Sequence, residues 1–244
     1  MNRAFRKRVQ RLLEKPLPAS SPAEEIFNWQ FRHSLELLLP LTPEAAPSVA
    51  VQLAQSLMDT TEKAGPEAAR LFPSTQVAEC RAGCSSCCHE PLQVSPLDAI
   101  SVAHFLQGSQ LDYLLPTRDG RELKKIFMPC PMLGADGRCQ VYAARPVVCR
   151  AYHSTRVSRC QANLAQRDER RDVPMNLHQF GYVGLPQEGA LAALAELGID
   201  RRPVVLGLAV RQLLQTFEAW TTSWLAGEPT FEPVVVLEPR VRKL

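Results

Sequence analysis

Cys80-Arg81-Ala82-Gly83-Cys84-Ser85-Ser86-Cys87-Cys88-His89 decides how the rest of the chain is read. Four thiols fall within nine residues. On a continuous helix their offsets would all lie within about 100° of one face. The same helix would separate the backbones of Cys80 and Cys88 by roughly 12 Å. One tetrahedral zinc, with Zn–S bonds of ~2.3 Å, could not gather all four. Either the helix breaks near Gly83, or the stretch feeds two sites. Adjacent Cys87 and Cys88 point the same way, because neighbours seldom chelate one ion. They can serve two ions, or one can bind while the other packs.

Downstream stand Pro129-Cys130-Pro131, Cys139, and Arg145-Pro146-Val147-Val148-Cys149-Arg150, with Cys160 further on. Gly134 and the Asp136-Gly137 turn can fold Cys139 back towards Cys130. Pro146 suits the first turn of a short helix presenting Cys149. Arg145 and Arg150 flank that thiol, and nearby cations favour the thiolate, the form that binds metal. The alternative for both arginines is ordinary surface charge.

All eight cysteines lie in one window of the 244-residue chain. No secretory pattern follows the basic N-terminus, and no apolar run approaches the roughly 20 residues a membrane span needs. The chain therefore reads as cytoplasmic, where thiols stay reduced and clustered cysteines are metal ligands or redox groups. Hydrophobic residues make up 45% and charged residues 22%, as in a folded globular protein. Lys and Arg exceed Asp and Glu by only 28 to 25, which argues against a nucleic-acid partner. A protein partner is not readable.

Outward from the cysteines the pattern is helical. Residues 1–15 carry Phe5, Val9, Leu12 and Leu13 among cations, as in a helix packed on the body. Ser21-Pro22-Ala23-Glu24 starts a helix with Phe27, Phe31, Leu35 and Leu38 on one side. Thr42-Pro43 opens another, with Val49, Leu53 and Leu57. Ser95-Pro96-Leu97-Asp98 starts a short helix reaching about Leu106. Beyond Pro186 the chain is helical again, through Leu191, Leu194 and Leu197, and Gly198 ends that stretch. Leu206, Val210, Leu213, Phe217, Trp220 and Trp224 form a single-face stripe ended by Gly227. The expected fold is mainly α, helices flanking a loop-rich cysteine centre. Its divisions are a helical region at 1–73, a cysteine-cluster region at 74–183, and a helical region at 184–244.

Three chemistries compete for the thiols. Cys80-x3-Cys84-x2-Cys87 has the spacing of radical S-adenosylmethionine enzymes, but no alternating β/α scaffold follows it. Cys84-Ser85-Ser86-Cys87 has CxxC spacing, but without the flanking βαβ pattern of a thiol redox protein. Metal ligation accounts for the whole set. All-thiolate ligation suits zinc and iron–sulfur clusters alike. No paired carboxylates, phosphate loop or Ser–His–Asp pattern indicates a substrate site.

Cys-x3-Cys-x2-Cys-Cys, followed by Pro-Cys-Pro-Met-Leu, Cys-Gln-Val-Tyr and Arg-Pro-Val-Val-Cys-Arg-Ala-Tyr, resembles the CxxCxxCC family of zinc- or iron-chelating, mostly bacterial proteins. The resemblance spans about residues 80–153. It implies metal binding through Cys80, Cys84, Cys87, Cys88, Cys130, Cys139 and Cys149, with Cys160 beyond the core pattern. A similar cysteine region occurs in flagellin lysine N-methylases, so an iron–sulfur-dependent protein-modifying enzyme is the alternative; no methylase motif is found in the flanks. His89 and His153 could complete a site or hydrogen-bond a thiolate. His33, His104 and His178 read as structural, and Tyr142 and Tyr152 as packing.

Overall fold

A computed structural model describes residues 3–75, 77–81, 83–90, 92–107, 128–167 and 173–230. Residues 108–127, within the expected cysteine region, lie outside that set. Eight α-helices dominate the described residues, with one pair of two-residue strands, so the mainly helical expectation holds.

Helix α1 (Arg3–Glu14) buries Val9 against α2 (Pro22–Leu38) and leaves its cations exposed. Ser21 caps α2 by accepting from the Glu24 backbone N–H at 3.3 Å. The Glu24 carboxylate reaches one residue further back than a reciprocal capping box requires, accepting from the Ser20 N–H at 2.6 Å. Helix α3 (Ala46–Leu71) begins three residues after Pro43. Thr42 instead caps the preceding turn, its hydroxyl accepting from the Ala45 N–H.

Helix α4 (Pro96–Gln107) forms where Ser95-Pro96 predicts it. Helix α7 (Leu177–Glu196) starts nine residues before Pro186, under an Asn176 cap, and runs across residues 183 and 184 without a break. Pro186 is thus inside a helix rather than ahead of one. Helix α8 (Leu206–Leu225) buries every residue of its predicted stripe. Gly198 and Gly227 follow α7 and α8 with φ of +75° and +84°, the left-handed conformation glycine adopts at low cost.

Helices α2 and α3 pack on α7, and α3 also meets α4 and α8. A Cβ on Gly189 would lie 2.5 Å from the Phe27 carbonyl, so only glycine permits the α2–α7 approach. Strands β1 (Gln93–Val94) and β2 (Val204–Val205) pair antiparallel and bring the starts of α4 and α8 side by side. The cysteine segment attaches here. Short helices α5 (Val147–Ala151) and α6 (Val157–Gln166) carry Cys149 and Cys160. Met132, Val141, Ala144 and Val147 join the main core formed with α3, α4 and α8.

Candidate metal centre

The chain breaks at Gly83, whose φ is +87°, so the continuous helix considered from spacing does not form. Residues Ser86–His89 make one 3-10 turn. Cys84 and Cys88 close their local turns on the Arg81 and Ser85 carbonyls. The predicted turn at Asp136-Gly137 does fold the chain back. Gly137 has φ of +73°, Leu133 and Cys139 form an antiparallel bridge, and the Gln140 N–H donates to the Met132 carbonyl. The Cys130 N–H donates to the Cys88 carbonyl at 2.6 Å, joining this hairpin to the 86–89 turn. Helix α6 packs on the same turn.

Asp98 fixes the helix that presents Cys149. Its buried carboxylate accepts from the Ser95 N–H at 3.0 Å, the Ser95 hydroxyl at 2.7 Å, the Gln187 amide and, 49 residues along the chain, the Val147 N–H at 2.8 Å. Burial pushes the Asp98 pKa up, and these donors oppose the shift. Arg150 is bound structurally: it pairs with Glu62 of α3 and donates to the Arg145 and Ala143 carbonyls. Arg145 stacks over Tyr142 at 3.7 Å, and its charge lowers the thiol pKa values of Cys139 and Cys87 against larger opposing effects.

All eight cysteines are free thiols; Cys160 is buried, Cys87 is exposed, and the others are partly buried. Burial is the main cause of the raised pKa of Cys80, Cys139, Cys149 and Cys160. For Cys87, which reaches the surface from a crowded turn, the first cause is its hydrogen bond with the Cys88 sulfur. Like charge adds to each shift. Cys80 responds to Cys84, Cys160 and Cys87, and Cys149 responds to Cys130, Cys87 and Cys139. Ionised together, these sulfurs would repel one another unless a cation stood among them. That donor chemistry fits zinc or iron. As arranged, no three His, Cys, Asp or Glu side chains among the described residues surround a common ion position. Holding an ion would require the thiols to move from these positions.

Sequence reasoning missed Ser154. Fully buried, it donates its N–H to the Cys80 sulfur at 3.1 Å, and its hydroxyl hydrogen-bonds Cys160. A serine two residues beyond a motif carries no signal of such a role. The His89 Nδ1 lies 3.0 Å from the Ser85 carbonyl. A carbonyl only accepts, so Nδ1 is the donor in this contact. His153 is held below its ordinary pKa by burial and then by Arg145. Tyr152 is pushed up to about 12, by burial and then by Cys160, Cys87 and Cys80. His33 stacks on Trp29, His178 on Phe72, and His104 lies against Phe217, as the structural reading expects. An open cleft of about 710 Å³ borders the thiols, lined by Glu79, Cys80, Arg81, Cys84, Val157 and Gln161 among others.

The family model described as "CxxCxxCC: putative zinc- or iron-chelating domain" matches residues 79–173. The segment is similar to that family. The matched span contains all eight cysteines, Cys160 included. It supports a zinc- or iron-chelating cysteine-cluster protein. No curated protein matches the chain, and no solved structure matches it. Among the described residues no helix is long and apolar enough to cross a membrane.

Proposed function

We propose that this is a metal-binding protein whose working group is the thiolate cluster of Cys80, Cys84, Cys87, Cys88, Cys130, Cys139, Cys149 and Cys160, acting in a reducing cytosol. One observation carries the reading: the Cys130 N–H on the Cys88 carbonyl and the Ser154 N–H on the Cys80 sulfur tie three separate parts of the chain together, with every cysteine a free thiol. Such a set, reduced and unbridged, is stabilised by a soft cation. The ion is zinc or iron, the latter as an iron–sulfur cluster.

A second reading, an iron–sulfur-dependent protein-modifying enzyme, draws on the cleft beside Cys80 and Cys84. A thiol redox role is not favoured. Among the described residues, the Cys84–Cys87 pair lies outside any βαβ unit of the kind that carries a thiol redox motif.

Anaerobic purification with elemental analysis and an absorption scan tests the proposal. Stoichiometric zinc in colourless protein, or iron with visible absorption, is the expected result. Reduced, folded protein that retains and takes up neither metal would sink it.

A further inference from the structure

Helix α1 is built against its own electrostatics. Arg3, Arg6, Lys7, Arg8 and Arg11 are all exposed, and the first turn holds no acid. Arg3–Lys7 and Lys7–Arg11 are like-charge neighbours four residues apart, and Arg3–Arg6 and Arg8–Arg11 three apart, which weakens a helix. Cations at a helix N-terminus also oppose its dipole. None of the five is in an ion pair among the described residues. The helix holds because its other side is anchored. Val9 is fully buried, and the Arg32 guanidinium of α2 donates to the Leu13 and Lys15 carbonyls.

The charge is also concentrated. Arg3, Arg6, Lys7, Arg8, Arg11 and Lys15 against Glu14 give residues 1–15 a net charge of +5. The whole chain is +3, so the remainder is −2. Arg3, Lys7 and Arg11 form a row about 12 Å long, with Arg6 and Arg8 roughly 100° to either side of Lys7. The two long stretches outside the described residues, 108–127 and 231–244, each carry one more cation than acid, so neither offers this face an anionic cover.

We propose that this face docks α1 flat on an anionic phospholipid surface. The outward side of α1 has no exposed large apolar side chain, so it lacks the anchor on which a protein interface centres. It has no aromatic platform for stacked bases either, because Phe5 packs against the core. The apolar side of α1 is spent on the body, so the contact is with headgroups and not with acyl chains. Trp29, 50% exposed, stands on α2, the helix that α1 packs on, and indoles favour the headgroup level. A cluster of roughly four to eight Lys or Arg on a helix with one apolar side suits anionic lipid, each cation weighing about fivefold in affinity.

Sedimentation of the full-length protein with vesicles tests this. It should bind vesicles of mixed phosphatidylglycerol and phosphatidylcholine, not bind phosphatidylcholine alone, and come off at high salt. Lys7→Gln/Arg8→Gln/Arg11→Gln should bind about a hundredfold more weakly. Its circular dichroism spectrum should be unchanged, since these exposed side chains pair with nothing in the fold. Arg8→Lys/Arg11→Lys, which keeps the charge, should bind as wild type. So should Lys63→Gln/Arg167→Gln/Arg201→Gln, which removes three exposed cations elsewhere. Equal weakening in both triple variants would assign the effect to net charge and overturn the proposal. Absent binding, or binding that ignores lipid charge, would overturn it too, as would a DNA or RNA duplex that displaces the vesicles at equal phosphate concentration. Zinc uptake measured in parallel should be the same in wild type and variants, so failure of the docking leaves the metal-binding reading standing.

Discussion

Helix α8 and residues 77–90 are held by different physics. In α8 the apolar stripe from Leu206 to Trp224 is buried throughout, and the Trp224 indole N–H also donates to the Asp200 carbonyl at 2.7 Å. Among the described residues of 77–90 none is buried, and Val77 is 80% exposed. That stretch is kept in place by polar ties instead. The Glu79 N–H donates to the Ser154 carbonyl, the Glu79 carboxylate accepts from the Val157 N–H, and the Cys130 N–H binds the Cys88 carbonyl. Each such bond adds about 1 kcal/mol net, against about 1–2 kcal/mol of backbone entropy for each residue ordered. A metal bound only by the folded chain adds its binding energy to stability, and this is the region where that contribution is needed. The helical body does not need it.

The largest effect should come from breaking the body. Trp224→Ala removes a fully buried indole and is expected to cost about 3–5 kcal/mol, with added zinc restoring little of it. A thermal melt with and without zinc checks this; full recovery by zinc would mean that the two regions are one energetic unit. Next comes Asp98→Ala, which strands the buried donors of Ser95, Val147 and Gln187. A loss of about 2–3 kcal/mol is expected. Because Asp98 joins α4 to α5, this variant should also loosen the chain around Cys149. Hydrogen exchange should show lost protection in 147–151 with α8 retained. Loss spread evenly over both would break the comparison.

Much of the body was legible because burial writes a period into a sequence. The α8 stripe, the Ser21 and Ser95 caps and the stops at Gly198 and Gly227 all appear as read. The start of α7 was not legible. Pro186 resembles a helix opening, but the Asn176 cap and the burial of Tyr182 and Val183 override it. The cysteine region could be read for donor type and for its turns, since thiols and Asp-Gly are local signals. Its anchoring could not be read. That depends on a serine backbone, a buried aspartate and the packing of α6 on the 86–89 turn, none of which has a period or a motif. Gly189 is similar, an unremarkable helix residue until α2 is seen against it.

Alkaline pH sharpens the contrast without any substitution. Cys80, Cys87, Cys139, Cys149 and Cys160 are all shifted up in the metal-free fold. Raised pKa values mean that the folded chain holds its thiol protons more tightly than the unfolded chain. The stability they contribute is present below the unfolded thiol pKa of about 8.5 and is lost as pH rises from there through the folded values. Metal-free protein should therefore weaken above that point. With zinc bound the thiols are already deprotonated and neutralised, so the loss should vanish. Urea unfolding at neutral and alkaline pH, with and without zinc, measures the difference. An equal alkaline loss in both samples would show that the thiols are not where the metal binds.

The smallest effect comes from a matched pair of hydroxyl deletions, one in each region. Ser21→Ala removes the cap that accepts from the Glu24 N–H on α2. Ser154→Ala removes an acceptor for the Arg156 N–H and a hydrogen bond to Cys160, while its own backbone N–H still reaches the Cys80 sulfur. In the metal-free chain each change should cost about 1 kcal/mol. Zinc should separate them. The Ser21 hydroxyl serves a backbone N–H of α2 rather than a thiol, so its loss should persist unchanged. The Ser154 loss should shrink, because ligation would anchor Cys80 and Cys160 through their sulfurs and make the lost hydroxyl redundant. Paired urea melts with and without zinc give the two differences directly. If zinc leaves both losses equal, the cysteine region folds on its polar ties alone and the metal is a passenger on it.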